Sequence, residues 1–343
     1  MTGVPMETRS ETRARAEWRT VISRYQQSDV GRAIAQMATT LLPLALGLFV
    51  MYQSLALPYW VTLLLAIPVG GLLVRTFIIM HDCAHGSFLP WRRANDLVGW
   101  LTGVLTLTAF DTWRHSHALH HASSGDLDRR GNGDVDTLTV REYLARDRWG
   151  RLKYRLGRNP LVLFGLGPIY FMIDNRIPPK ESPLSGRKAS SVWSANIGIA
   201  ILVLGFSLWV GWRAVFLVYF PAMYIAAAAG IWLFYVQHQF EGTYWKDHGD
   251  WDYATAAIRG SSYFKLPAVL EWFTGSIGLH HIHHLGPRIP NYKLKHCHDE
   301  NPMFHDVTVL TIRKSLHTLR LSLWDEQREQ LVSFRDVKKR LSA

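Results

Sequence analysis

Residues 58–85 read PYWVTLLLAIPVGGLLVRTFIIMHDCAH, and this stretch decides the fold. Positions 58–80 form an apolar run interrupted by one charge, Arg75. At about 1.5 Å of rise per helical residue, such a run crosses a hydrocarbon core of roughly 30 Å. The last five residues then set His81 and His85 four positions apart, on one side of a helix. The segment reads as a membrane crossing that ends in a pair of imidazoles.

Three further apolar runs, near 36–56, 191–210 and 214–236, have comparable length and predict four crossings in all. Two shorter stretches, 97–110 and 159–173, predict interfacial or re-entrant pieces. Four crossings put the N-terminal segment, residues 81–190 and the tail from 239 on one side. Of the 38 Lys and Arg residues, six precede the first run, sixteen lie in 81–190 and fourteen follow residue 238. Only Arg213 falls in an outer turn. That bias predicts an inner-membrane protein with both termini and every histidine cluster cytoplasmic.

The expected fold class is all-α: a multi-pass membrane protein with four transmembrane helices, extra interfacial or re-entrant helices, and a cytoplasmic helical cap carrying the metal centre. Residues 1–35 are expected as a cytoplasmic N-terminal segment, polar and mobile over 1–17, with Trp18 to about Ala35 along the membrane surface. Residues 36–343 are expected as a single domain, its tail showing helical patterning around Trp324–Val332.

The net charge of +11 needs no nucleic acid to explain it. Arg and Lys on the cytoplasmic face follow the orientation rule and favour anionic lipid head groups. They could also steer an acidic electron donor, although the membrane explanation alone suffices. Residues 1–35 carry six arginines and no short apolar core of a secretory signal. Cys83 and Cys297 are too few for a disulfide scaffold and suit a reducing compartment.

Two more histidine sets repeat the one-sided spacing: His117, His120 and His121, then His280, His283 and His284. Positions i, i+3 and i+4 share an arc of roughly 100° on a helix. Eight imidazoles on three helix ends exceed the first shell of one metal but fit two, with positions open for dioxygen or substrate. Structural zinc closes at four ligands and more often includes thiolates, so iron is the natural choice for dioxygen chemistry. His248, His296, His298, His305 and His317 lack the spacing and read as solvated. Asp126, Asp128, Asp134 and Asp136 read as a hydrated loop, because no closing bidentate Glu accompanies them. Arg75 reads as a snorkelling side chain near the span end.

The segments around these histidines resemble the integral-membrane fatty acid desaturases, with their HxxxH, HxxHH and HxxHH boxes. His81-Asp82-Cys83-Ala84-His85 is similar to box one. Trp113-Arg114-His115-Ser116-His117-Ala118-Leu119-His120-His121 is similar to box two. Gly278-Leu279-His280-His281-Ile282-His283-His284-Leu285 and the trailer Pro287-Arg288-Ile289-Pro290-Asn291-Tyr292 are similar to box three. The stretches 131–140 and 235–241 resemble the acyl-lipid delta-12 (omega-6) branch. Ser276 stands where such proteins often have Asn, and Ala84 where Gly is common.

This resemblance implies a non-haem di-iron centre on the eight box histidines plus one histidine beyond the last span, a place His238 occupies. It implies dioxygen as co-substrate, a lipid acyl chain as substrate, and electrons from ferredoxin or a small b-type cytochrome. No catalytic residue separate from the metal ligands is expected. Outer partners for the ligands' second nitrogens are sought, by sequence proximity, in Asp82, Asp111 and Glu241; His115 and His281 are assigned outer or structural roles. The expected activity is insertion of a cis double bond into an acyl chain, with a membrane acyl or alkane hydroxylase as the enzymatic rival. A metal transporter is the distant rival, because transport sites lie near the bilayer midplane and these clusters lie beyond span ends.

Overall fold

The computed structural model describes residues 18–131, 135–178 and 186–342, and the four apolar runs are four long helices in it. The first seventeen residues, positions 132–134 of the branch-like stretch, and Pro179 and Pro183 of the linker before the third span lie outside the described residues. Helix α1 (Val30–Gln53) starts on Asp29, whose side chain accepts the Arg32 N–H at 3.0 Å. It turns through Ser54–Ala56 into α2 (Trp60–Ala84). A second pair, α5 (Arg187–Val210) and α6 (Trp212–His238), turns at Gly211, whose φ of +85° suits a residue without Cβ.

The central helix is α2. In its most apolar window 61% of residues are buried inside the protein, against 22–28% in the other three spans. It packs closely on α6 because Gly70 is there: a Cβ would lie 2.8 Å from Ile225 Cγ2 and 3.0 Å from the Ala222 carbonyl. The outer faces are apolar and bare. Leu42, Leu46 and Phe49 on α1, and Ile197, Ile201, Leu204 and Leu208 on α5, form exposed stripes at helical spacing. Such stripes face hydrocarbon. Exposed Trp60, Trp209 and Trp212 collect at the turn end of both helix pairs, as an aromatic belt does. From Trp60 to His81 a helix rises about 32 Å. His81 and His238 therefore emerge near the opposite membrane surface.

Between the pairs, α3 (Arg92–Leu105) and α4 (Phe110–Ser123) form a short hairpin, each fourteen residues long and too short to span. Gly99 lets α4 close on α3, since a Cβ would meet the Phe110 ring at 2.2 Å. The 159–173 stretch is the second half of a helix pair, Arg148–Gly157 and Val162–Asp174, bent by 59°. The hairpin helices are thus too short to cross, and the bent pair is a broken span or a re-entrant loop.

Three expectations are corrected. The residues at 324–332 form a hairpin, β4 (Leu323–Asp325) and β5 (Gln330–Val332), with β4 also parallel to β1 (Leu138–Thr139). A second sheet pairs β2 (Tyr263–Phe264) with β3 (Val309–Leu310). The intervening polar residues make a turn: Asp325 accepts the N–H groups of Gln327 and Arg328, and Glu329 adopts φ +49°. The segment around Ile22 and Tyr25 does not lie free on the membrane but packs into a core with Ile282, Leu285 and Ile289. Arg75 does not snorkel. It is 9% exposed, gives Nε to Thr40 Oγ1 at 3.1 Å and Nη1 to the Trp272 carbonyl, and lies 4.2 Å over the Trp272 ring. The turn carrying Trp272 leads into box three, so Arg75 ties that approach to α2.

Candidate metal centre

His81 occupies the last turn of α2 and His85 caps it; α4 carries His117, His120 and His121; α6 ends on His238; α7 (His280–Leu285) carries His280, His283 and His284. These nine side chains converge in two groups, within each of which one nitrogen per ring lies within 4.8 Å of the others. The first group is His81, His85, His117, His121 and His283; the second is His120, His238, His280 and His284. The two HxxHH boxes interleave. Box two sends its i,i+4 pair to the first group and His120 to the second, whereas box three sends its i,i+4 pair to the second and His283 to the first.

The contacts within each group call for a shared cation. A neutral imidazole nitrogen either donates one hydrogen bond or accepts one. Yet His117 Nε2 lies 3.1 Å from the Nε2 atoms of both His81 and His121, and His121 Nε2 lies a further 3.0 Å from that of His283. In the second group His238 Nε2 lies 3.2 Å from His120 Nε2 and 3.0 Å from His280 Nε2, which is 3.1 Å from His284 Nε2. Hydrogen bonding cannot satisfy every link of such chains. Two imidazoles bound at right angles with metal–nitrogen bonds of about 2.1 Å would sit about 3.0 Å apart, the spacing found. His85 Nε2 is buried without a hydrogen-bond partner while its ring lies 4.8–4.9 Å from those of His81, His117, His121 and His283. The donor set fits two ions that favour nitrogen ligands.

Protonation is consistent with ligation. Burial first, then mutual repulsion among the rings, pushes His85, His117, His121, His280, His283 and His284 well below the ordinary histidine value. Their lone pairs are free at neutral pH. Outer contacts aim two of the rings. His81 Nδ1 meets Asp82 Oδ1 at 3.0 Å, and His238 Nδ1 meets the Gly260 carbonyl at 3.1 Å, turning each Nε2 inward. Asp82 Oδ2 in turn accepts the backbone and side-chain N–H groups of Asn291 at 2.6 and 2.7 Å.

A sequence profile described as fatty acid desaturase matches residues 55–310. The chain belongs to the fatty acid desaturase family. It is 43% identical over 318 residues to a fatty acid desaturase of Bacillus subtilis, covering 92% of this chain and 90% of that one. It is 26% identical over 280 residues to the sn-1 oleoyl-lipid 12-desaturase of a Synechocystis strain (79% and 76% covered). It is 29% identical over 241 residues to the sn-1 acyl-lipid omega-3 desaturase (ferredoxin) of the same strain (66% and 63% covered).

In this desaturase the Asp82 carboxylate contacts His81, whereas Asp111 and Glu241 are engaged elsewhere. Asp111 pairs with Arg114 and, at 3.2 Å, with Arg187. Glu241 is exposed, and its contact is a backbone one, its carbonyl accepting the Leu331 N–H. His115 is exposed on the outer side of α4. His281 is buried but turns away, its Nε2 3.2 Å from the Phe304 carbonyl. Nearness in sequence did not become nearness in space for Asp111 and Glu241, whereas His281, buried against the Phe304 carbonyl, fits the structural alternative assigned to it. Asp126 is not part of a hydrated loop surface: it is fully buried and its Oδ2 lies 2.8 Å from Nδ1 of His248, which is itself exposed as expected.

The sequence also missed supporting residues. Gln237 donates to the Ile277 carbonyl at 2.9 Å, and Tyr253 to the His284 carbonyl at 2.6 Å. Gly278 passes so near the Phe264 carbonyl that a Cβ would lie 2.3 Å from it. Asn291 belongs to the trailer of box three, but nothing in its spacing from Asp82 marks the contact.

Both histidine groups open onto a cavity of about 1390 Å³, larger than the roughly 300–1,000 Å³ of a drug-sized ligand site. His81, His117, His120 and His280 form part of its wall. One face of α6, from Met223 through Ala227 and Ile231 to Phe234, continues that wall away from the histidines. Between Met223 and His238 the helix rises about 22 Å, more than the roughly 15 Å acyl depth of one leaflet.

Proposed function

We propose that this chain introduces a cis double bond into the acyl chain of a membrane lipid, with His81, His85, His117, His121 and His283 holding one non-haem iron and His120, His238, His280 and His284 a second. The observation that carries this reading is the pair of all-imidazole groups lining a long apolar cavity. When bound, the irons would supply the dioxygen-dependent oxidising power that removes two hydrogens from adjacent methylenes, with two external electrons and two protons completing two waters.

The protein's part is placement and dryness. Leu73, Val74, Phe77 and Ile78 on α2 line the cavity together with the α6 wall and would confine the chain. Trp113 stacks on His117 with ring centroids 4.3 Å apart, and Phe234 packs on His120 and His238, keeping ligand rings fixed beside that channel. A delta-12 regiochemistry is favoured by the branch-like stretches 131–140 and 235–241 and by the similarity to the 12-desaturase. A ferredoxin as donor is favoured by the relatives whose names carry that word; a small b-type cytochrome is the other donor of suitable chemistry. The cytoplasmic side for the histidines rests on the Lys and Arg distribution.

The test is expression in a host lacking polyunsaturated lipids, followed by fatty-acid analysis with double-bond location. A new double bond in membrane lipid is the expected product, and a twelfth-carbon position in an oleoyl chain supports the finer assignment. Hydroxylated lipid instead of an alkene would transfer the reading to the rival hydroxylase. His120→Ala should insert normally and form no product.

A further inference from the structure

The cavity is apolar beside the spans but not throughout. Where helix Arg148–Gly157 borders it, the wall is formed by Arg146, Lys153, Tyr154, Gly157 and Arg158. Positions 153, 154, 157 and 158 share one side of that helix. Arg158 is 5% exposed and has no carboxylate partner among the described residues. Its Nη atoms donate to Gln239 Oε1 at 2.7 Å, to the Leu321 carbonyl at 3.0 Å and to the Asp136 carbonyl at 3.3 Å, all uncharged acceptors. Its Nε is buried without a partner. Arg146 and Lys153 are exposed and likewise make no ion pair among the described residues. Two carboxylates also border the cavity, Asp136 and Asp174, and Asp174 engages the Tyr170 hydroxyl. The cations outnumber them, and one cation is buried without a carboxylate partner among the described residues.

A buried charge of this kind is costly unless an opposite charge meets it. The neighbouring side of the same helix shows where that charge comes from. Trp149, Leu152 and Leu156 form an exposed apolar stripe at i, i+3 and i+7, which lays the helix at the bilayer surface, at head-group depth. We propose that this part of the cavity binds the phosphate of an anionic glycerophospholipid, with Arg146 and Lys153 on the phosphate oxygens and Arg158 supplying the field behind them, while the lipid's acyl chain lies along the histidines. The assignment rests on the acyl-chain reading of the cavity and adds the head-group class. The recognising chemistry is a phosphate joined to an acyl group, which a soluble acyl thioester of coenzyme A also carries; the apolar stripe favours the membrane source.

The test measures lipid retention, so it does not depend on catalysis. The purified full-length protein is offered equimolar phosphatidylglycerol, neutral galactosyl diacylglycerol and oleoyl-coenzyme A, and bound species are counted by native mass spectrometry. Phosphatidylglycerol should be retained about tenfold over the galactolipid, the size of one charge-assisted contact. Lys153→Gln with Arg146→Gln should erase that preference, whereas Arg213→Gln, at the other end of the spans, should preserve it. Equal retention of both lipids, or a preference untouched by the double variant, would overturn the proposal. Preferential retention of the coenzyme A ester would overturn the membrane source. An inactive protein that still selects phosphatidylglycerol would sink the desaturase activity and leave this inference standing.

Discussion

Asp82 and Asn291 are 209 positions apart, yet the Asp82 carboxylate accepts both N–H groups of Asn291 while its other oxygen meets His81. The contact joins the end of α2 to the start of the helix that follows box three. Asp82→Asn keeps the shape but removes the charge that fixes the His81 tautomer. Metal affinity should fall by about 10–100-fold, the usual cost of losing an outer partner. Chelator competition followed by iron analysis measures it; unchanged retention would show that the contact serves packing alone.

His85 and His115 make a paired test. His85→Ala removes a ring from the first group, and the purified protein should carry less iron than the two ions expected per chain. His115→Ala alters an exposed ring and should leave iron content and product yield unchanged. Equal losses in both variants would contradict the grouping.

Acid should release the metal. His121, His280, His283 and His284 are buried, and their folded-state pKa values are depressed. Unfolded histidine titrates near about 6.5. Below that value the unfolded chain binds protons that the folded one refuses, so stability is full above it and declines as pH falls toward the depressed folded values. Each such imidazole costs about 1.4 kcal/mol per pH unit in that window. Dialysis from pH 7.5 to about 5.5 should strip iron and lower the melting temperature, while raising the pH to about 8.5 should do neither.

Ser276 has φ +56°, a left-handed conformation that disfavours a Cβ and that Asn tolerates well. Its backbone carbonyl accepts the Leu279 N–H and its hydroxyl meets Glu271 Oε1 at 3.2 Å, so the turn into box three stands without Asn. Ser276→Asn should therefore stabilise by up to about 1 kcal/mol, raising the melting temperature by roughly 2 °C. Ser276→Val should lower it. Opposite signs in thermal unfolding would mean the hydroxyl contact outweighs backbone relief.

Arg75 should matter through Trp272. Arg75→Met removes the donor to the Trp272 carbonyl and the cation over its ring. Hydrogen exchange across residues 266–276 should then accelerate while the four spans stay protected. Uniform protection would return Arg75 to a passive role.

Much of this was legible in the chain because its signals are periodic and long. Apolar runs longer than a bilayer is thick find the spans, and i,i+4 spacing finds the rings. The partition of those rings was not legible: nothing in HxxHH says that His120 parts from His117 and His121. Asp111 and Glu241 failed as partners because a helix face or a turn separates them from rings near in sequence. Asn291 was passed over because its contact spans most of the chain. The tail misled because Leu323, Trp324, Leu331 and Val332 bracket a polar run that suits a helix as readily as a hairpin, and only pairing with Leu138–Thr139 decides it.

The exchange of one histidine between boxes two and three bears on how the protein is assembled. Neither proposed site would have its full set of rings until box three has docked, and a chain interrupted after residue 190 keeps only His120 of the second group, so it should load at most one iron. Uptake of a second metal ion would then report completed tertiary assembly.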